Sequence, residues 1–141
     1  MHNRSPMRRL SLASALLLVS SGSVAAQEAA ASLSSVTACR LNAELISLSF
    51  SYHGGACEAT GDAGVEVGDA GTAVVIVPVV VTNDQCTEQA SDVQSTSAVA
   101  VPDEVTSLEV RLAAPDGEVK AAGNTDIAPS SPDCVPPKPV E

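Results

Sequence analysis

Ile46-Ser47-Leu48-Ser49-Phe50-Ser51-Tyr52-His53-Gly54-Gly55 alternates strictly over its first seven residues. Ile46, Leu48, Phe50 and Tyr52 fall on one side of an extended chain, Ser47, Ser49 and Ser51 on the other. A period of two marks a strand with one buried face, because successive side chains of a strand point in opposite directions. His53-Gly54-Gly55 then reads as the turn that ends it. The alternation starts near Ala43, and no long stretch elsewhere carries the 3.6-residue period of a helix.

Working outward, Gly61-Asp62-Ala63-Gly64 and Gly68-Asp69-Ala70-Gly71 bracket a very short strand around residues 65–67. Next comes Ala73-Val74-Val75-Ile76-Val77-Pro78-Val79-Val80-Val81, apolar on both faces. Only Pro78 disagrees with a fully buried strand, since it has no N–H for a sheet ladder. Pro78 therefore implies an edge strand or a bulge. An edge here would be a place for a partner's strand to add, unless a terminal segment covers it or Pro78 itself blunts it. Residues 86–94 leave room for a short helix, and a weaker strand covers residues 95–101 before Pro102.

Thr106, Leu108, Val110 and Leu112 alternate with Ser107, Glu109 and Arg111, and Pro115-Asp116-Gly117 turns the chain into Glu118-Val119-Lys120-Ala121. That is a hairpin, with Pro presetting one turn position and Gly supplying positive φ at another. Glu109 and Arg111 would face Glu118 and Lys120 across it as charge pairs. Six to seven short strands punctuated by turns predict an all-β domain. The expected form is a small antiparallel β-sandwich, immunoglobulin-like or a meander, over residues 39–128. Residues 27–38 read as an Ala/Ser-rich lead. Residues 129–141, with five prolines, read as an extended tail.

Cys39, Cys57, Cys86 and Cys134 have no CxxC spacing, which argues against a thioredoxin-like or zinc-knuckle motif. Four cysteines allow three pairings. In an up-down-up meander Cys57 and Cys86 follow strand ends on the same side of the sheet. The expected bridges are therefore Cys57–Cys86 and Cys39–Cys134, the second tying the start of the domain to its tail.

Two stapling bridges suit an oxidising compartment, and the N-terminus points the same way. Arg4, Arg8 and Arg9 precede a short apolar run over residues 10–19 and then small residues ending Val24-Ala25-Ala26. This order is that of a cleavable secretory signal over residues 1–26, with Ala25 as the alternative cleavage point. The apolar run is about half the ~20 residues that span a bilayer, and nothing after Ala26 reaches that length. Scarce lysine with abundant alanine and valine suggests a GC-rich bacterial genome, which makes the periplasm or the medium the expected address.

After residue 26 the chain holds all 17 acids against four cations, a net charge of −13. Such a balance excludes phosphate-backbone binding, which needs clustered Lys and Arg. No P-loop, GxGxxG or nucleophile elbow is present. His53 is the only imidazole past residue 26; it is a candidate general base or metal ligand, or simply a turn residue before two glycines. Asp62, Asp69, Asp84, Glu88 and Asp92 are oxygen donors without EF-hand spacing, so no metal or other cofactor is expected. The expected function is a non-enzymatic module that binds another exported or envelope protein. The alternative is a small secreted hydrolase or metal-binding enzyme using His53 with nearby acids.

Overall fold

The computed structural model describes residues 30–87, 89–134, 136 and 137. The export signal expected over residues 1–26 lies outside them, as do the candidate donor Glu88 and the last four residues of the tail. Within the described residues the chain is all-β, with no helix. Its strands are β1 (Ala31–Ser32), β2 (Ser34–Arg40), β3 (Leu45–Gly55), β4 (Glu58–Thr60), β5 (Gly64–Val67), β6 (Thr72–Val81), β7 (Ala90–Ala100), β8 (Ser107–Ala113) and β9 (Val119–Ala128).

These strands form one continuous path of pairings, β4-β6-β8-β9-β2-β3-β7, with β1 added to β9 and β5 to β6. The path curls until its ends, β4 and β7, lie side by side. There the Thr60 and Ser95 hydroxyls share a hydrogen bond of 2.7 Å. The result is a nearly closed, barrel-like sheet.

The alternation of β3 explains the inside of that barrel. Ile46, Leu48, Phe50 and Tyr52 are buried among Ala73, Val75, Val77 and Val79 of β6 and Leu108, Val110 and Leu112 of β8. The sequence predicts burial of β6 on both faces, but only its odd-numbered residues point inward. Val74, Ile76 and Pro78 are half-buried on the outer surface.

The pairing departs from an all-antiparallel layout. β6 runs parallel to β8, β2 to β9 and β1 to β9. Turn chemistry specifies only neighbours in sequence, and these pairs are formed by strands far apart along the chain. Residues 34–38, read from sequence as lead, begin β2, which fills the gap between β3 and β9. Residues 90–94, where a short helix had room, are strand. They pair with Ser51–Gly55, so β3 and β7 match over eleven residues without a break.

β6 is not an edge. β8 lies along one side of it, and β5 and β4 in turn lie along the other. Pro78 fits because the Pro78 carbonyl accepts the Gly61 N–H at 2.8 Å. A strand residue turns its N–H and C=O to the same side. The donor that proline lacks therefore faces the break between β4 and β5, where no ladder runs.

Cys57 is bridged to Cys86 and Cys39 to Cys134, with Cα separations of 5.9 and 5.8 Å. The first bridge follows from the β4–β6 pairing. Glu58 lies opposite Val81, and the Thr82 N–H donates to the Cys57 carbonyl at 2.8 Å, which brings residue 86 within reach. The second follows from the parallel β2–β9 register, where Cys39 lies opposite Ala128 and the tail departs beside it.

The β8–β9 hairpin turns at Gly117, whose φ is +90°. One extra residue, Lys120, then interrupts the register between Leu112/Ala121 and Ala113/Val119. A bulge re-aims its side chain. Lys120 consequently pairs with Glu58 rather than across the hairpin, and Arg111 pairs with Glu109 on its own strand. The expected cross-strand charge pairs are thus replaced by these two.

Candidate functional site

Three features carry the chemistry that the described residues present, and the first is a polar cluster at the end of the barrel. The Lys120 ammonium donates to both carboxylate oxygens of Glu58, at 2.9 and 2.7 Å. It also lies 5.5 Å from the centroid of the Tyr52 ring, within range of a cation–π contact. Gly54 makes this packing possible. A Cβ there would collide with the Glu58 carboxylate and come within 2.6 Å of the Tyr52 ring. Burial first, and the Glu58 carboxylate second, push the Tyr52 phenol above its ordinary pKa, so the ring stays neutral. Its hydroxyl is buried without a hydrogen-bond partner.

Beside this cluster lies a groove of about 380 Å³ lined by Ser34, Ser35, Ser51, His53, Asp92 and Lys120, among others. The chain of β2 bulges here, advancing three residues from Ser34 to Thr37 while β3 advances two, and Ser35 adopts φ +52°. His53 and Asp92 face each other across β3 and β7, with Nδ1 and Oδ1 3.3 Å apart. Both side chains are mostly exposed, at 70% and 85%. A catalytic imidazole needs a fixed tautomer and a placed partner, and water competes freely for both atoms of this pair.

The acids at 61–71 and at 84 are not brought together. Among the described residues no three His, Cys, Asp or Glu side chains gather as metal ligands do. The described cations other than histidine are all engaged within the chain. Arg40 donates to the carbonyls of Val101, Pro102 and Val105 at 2.5–2.7 Å. Arg111 holds Glu109 at 2.6 Å, and Lys120 holds Glu58. Most of the described acids are exposed to solvent, outside these ion pairs.

The third feature is the free edge of β7, the true edge of the sheet and one that the sequence pattern did not disclose. Among the described residues β7 pairs with β3 alone. The Val101 N–H donates to the Glu44 carbonyl at 2.9 Å, which extends the Leu45–Ala100 register by one. Antiparallel partners alternate in bonding direction. The odd-numbered residues of β7 therefore bond to β3. Asp92, Gln94, Thr96, Ala98 and Ala100 turn their N–H and C=O groups away from it, and their side chains are exposed. Two signals concealed this edge in the sequence. The valine-rich run drew attention to β6, and β7 is built of Ala and Ser, which are weak strand markers.

No protein-family model, no curated protein and no solved structure matches this chain.

Proposed function

We propose that the protein is an exported, non-enzymatic module that binds another protein of the bacterial envelope or its surroundings. The observation that carries this reading is the one-sided surface. Lys120 and Arg111 are paired with acids and Arg40 is held on backbone carbonyls, while the remaining described acids face solvent. A surface of one sign steers and selects partners of the other sign. Two disulfides are compatible with an oxidising, exported setting, and the basic, apolar and small-residue order of residues 1–26 supports export through a cleaved signal.

The test is affinity capture from the native envelope and medium with oxidised protein, read by mass spectrometry. One dominant partner is expected at low salt, released at high salt and absent when the bait is reduced. A retained set that ignores both treatments would overturn the reading.

A second reading, a small hydrolase, rests on the His53–Asp92 pair with Ser51 in the same groove. His53→Ala separates the two. It leaves partner capture unchanged under the first reading and removes activity under the second.

A further inference from the structure

The free edge of β7 lacks the devices that usually guard such edges. Over eleven residues it carries no proline, no lysine and no bulge, and its register with β3 is unbroken. Exposed edges present ready-made rows of donors and acceptors, and natural sheets normally blunt them with those same devices. At its other end the sheet offers no ladder to β7. β4 lies against β7 around Ser95, whose hydroxyl bonds that of Thr60, and among the described residues no strand ladder other than that of β3 reaches residues 96–100.

We propose that β7 takes up an extended, cationic segment of a partner protein as an added strand, held by the backbone groups of Thr96, Ala98 and Ala100. The inference rests on the protein-binding reading and says where and how the partner is held. Backbone pairing supplies affinity in such additions, and alternate side chains supply selectivity. Toward the barrel the added strand meets Ser97 and Val99, so small residues fit there. Outward, Asp62 and Glu66 are exposed in the segment that follows β4 at the opposite end of the sheet. Lysine or arginine at alternate positions complements that field. A second copy of this chain does not, because it would bring the same acidic surface to the contact.

The probe is a synthetic peptide, Lys-Val-Lys-Thr-Lys-Val-Lys, with its Glu-for-Lys counterpart as control, added to the full oxidised protein. Amide hydrogen exchange is read residue by residue. The cationic peptide is expected to slow exchange at Thr96, Ala98 and Ala100 by about tenfold or more while odd-numbered β7 amides stay as they were. The acidic peptide should do nothing. Ala98→Pro removes one edge donor without touching the β3 ladder and should abolish the protection. Ala98→Lys, which keeps the N–H and adds a like charge, should weaken it if the proline variant fails to fold.

Unchanged exchange with peptide present overturns the proposal. So does equal binding to Ala98→Pro, which would show attraction to the surface charge alone. Protection without peptide overturns it too, because the edge is then already filled by this chain or by a second copy. In each of these cases a captured partner that Ala98→Pro still retains would leave the protein-binding reading standing.

Discussion

Tyr52 holds a hydroxyl in a place where hydroxyls are normally paired. An unpartnered buried donor costs about 1–3 kcal/mol, so Tyr52→Phe, which keeps the ring against Phe50 and under Lys120, is expected to raise stability by about 1 kcal/mol in urea unfolding. Loss of stability would mean that the hydroxyl is in fact bonded. Tyr52 is the only tyrosine in the chain, so ultraviolet titration reports it alone. Its raised pKa means that the folded state holds the phenolic proton more tightly than the unfolded state does. The stability this contributes is complete below the ordinary value of 10.0 and is lost as pH rises through the folded value. The wild type should therefore lose stability in alkali more steeply than Tyr52→Phe. Arg40 is the opposite kind of residue, fully used. Its fork reaches three carbonyls of the 101–105 turn, and hydrogen bonds to charged groups contribute about 1.5–3 kcal/mol. Arg40→Lys keeps the charge but not the fork. It is expected to recover less than half of what Arg40→Ala loses, measured by the same unfolding curves.

The strands differ in how much of their fate is local, and this sets what the sequence discloses. β3 and the β8–β9 hairpin are legible because alternation and turn residues are written in adjacent positions. β2 and β7 are not. Ser34-Ser35-Val36-Thr37-Ala38 and Ala90-Ser91-Asp92-Val93-Gln94 have little intrinsic strand preference and become strands by filling register positions beside β3. The parallel partners of β6 and β2 are equally invisible, since nothing in a strand's own residues names a distant neighbour. The candidate site shares this division. His53 stands out as a lone imidazole, whereas the Glu58–Lys120 pair and the β7 edge exist only once a bulge and a curled sheet have formed. The bridges staple these non-local contacts unequally. Cys39–Cys134 closes a separation of 95 residues and Cys57–Cys86 one of 29. Loop-closure entropy puts these at about 4–5 and about 3–4 kcal/mol. Replacing the first pair by serine should therefore lower stability by about 1 kcal/mol more than replacing the second. Equal losses would mean that the denatured chain is already compact.

At the scale of the whole molecule, charge and core pull in different directions. The core has two aromatic residues and is otherwise built from Val, Leu, Ile and Ala. The hydrophobic gain is therefore leaner than in an aromatic-rich domain, and the self-repulsion of a chain with net charge −13 after residue 26 subtracts from it. The ion pairs do little to relieve that repulsion. Arg111–Glu109 is well exposed, and the hydrogen bond from Arg111 that lowers the Glu109 pKa contributes stability that is complete above the ordinary carboxylate value of 4.5 and is lost as pH falls through the lowered folded value. Lys120–Glu58 is half-buried and therefore weakly screened. Raising ionic strength from 0.01 to 0.15 M shortens the screening length from about 30 to about 8 Å. That weakens repulsion among acids spread over the surface more than it weakens a direct pair. The melting temperature should accordingly rise across this range, while binding of the cationic peptide to β7 weakens across the same range. The two trends have opposite signs because one charge distribution opposes folding and attracts the partner. A melting temperature that fell with salt would show the direct pairs outweighing the repulsion. Peptide binding indifferent to salt would remove charge from the account of how β7 selects its partner, leaving only the backbone.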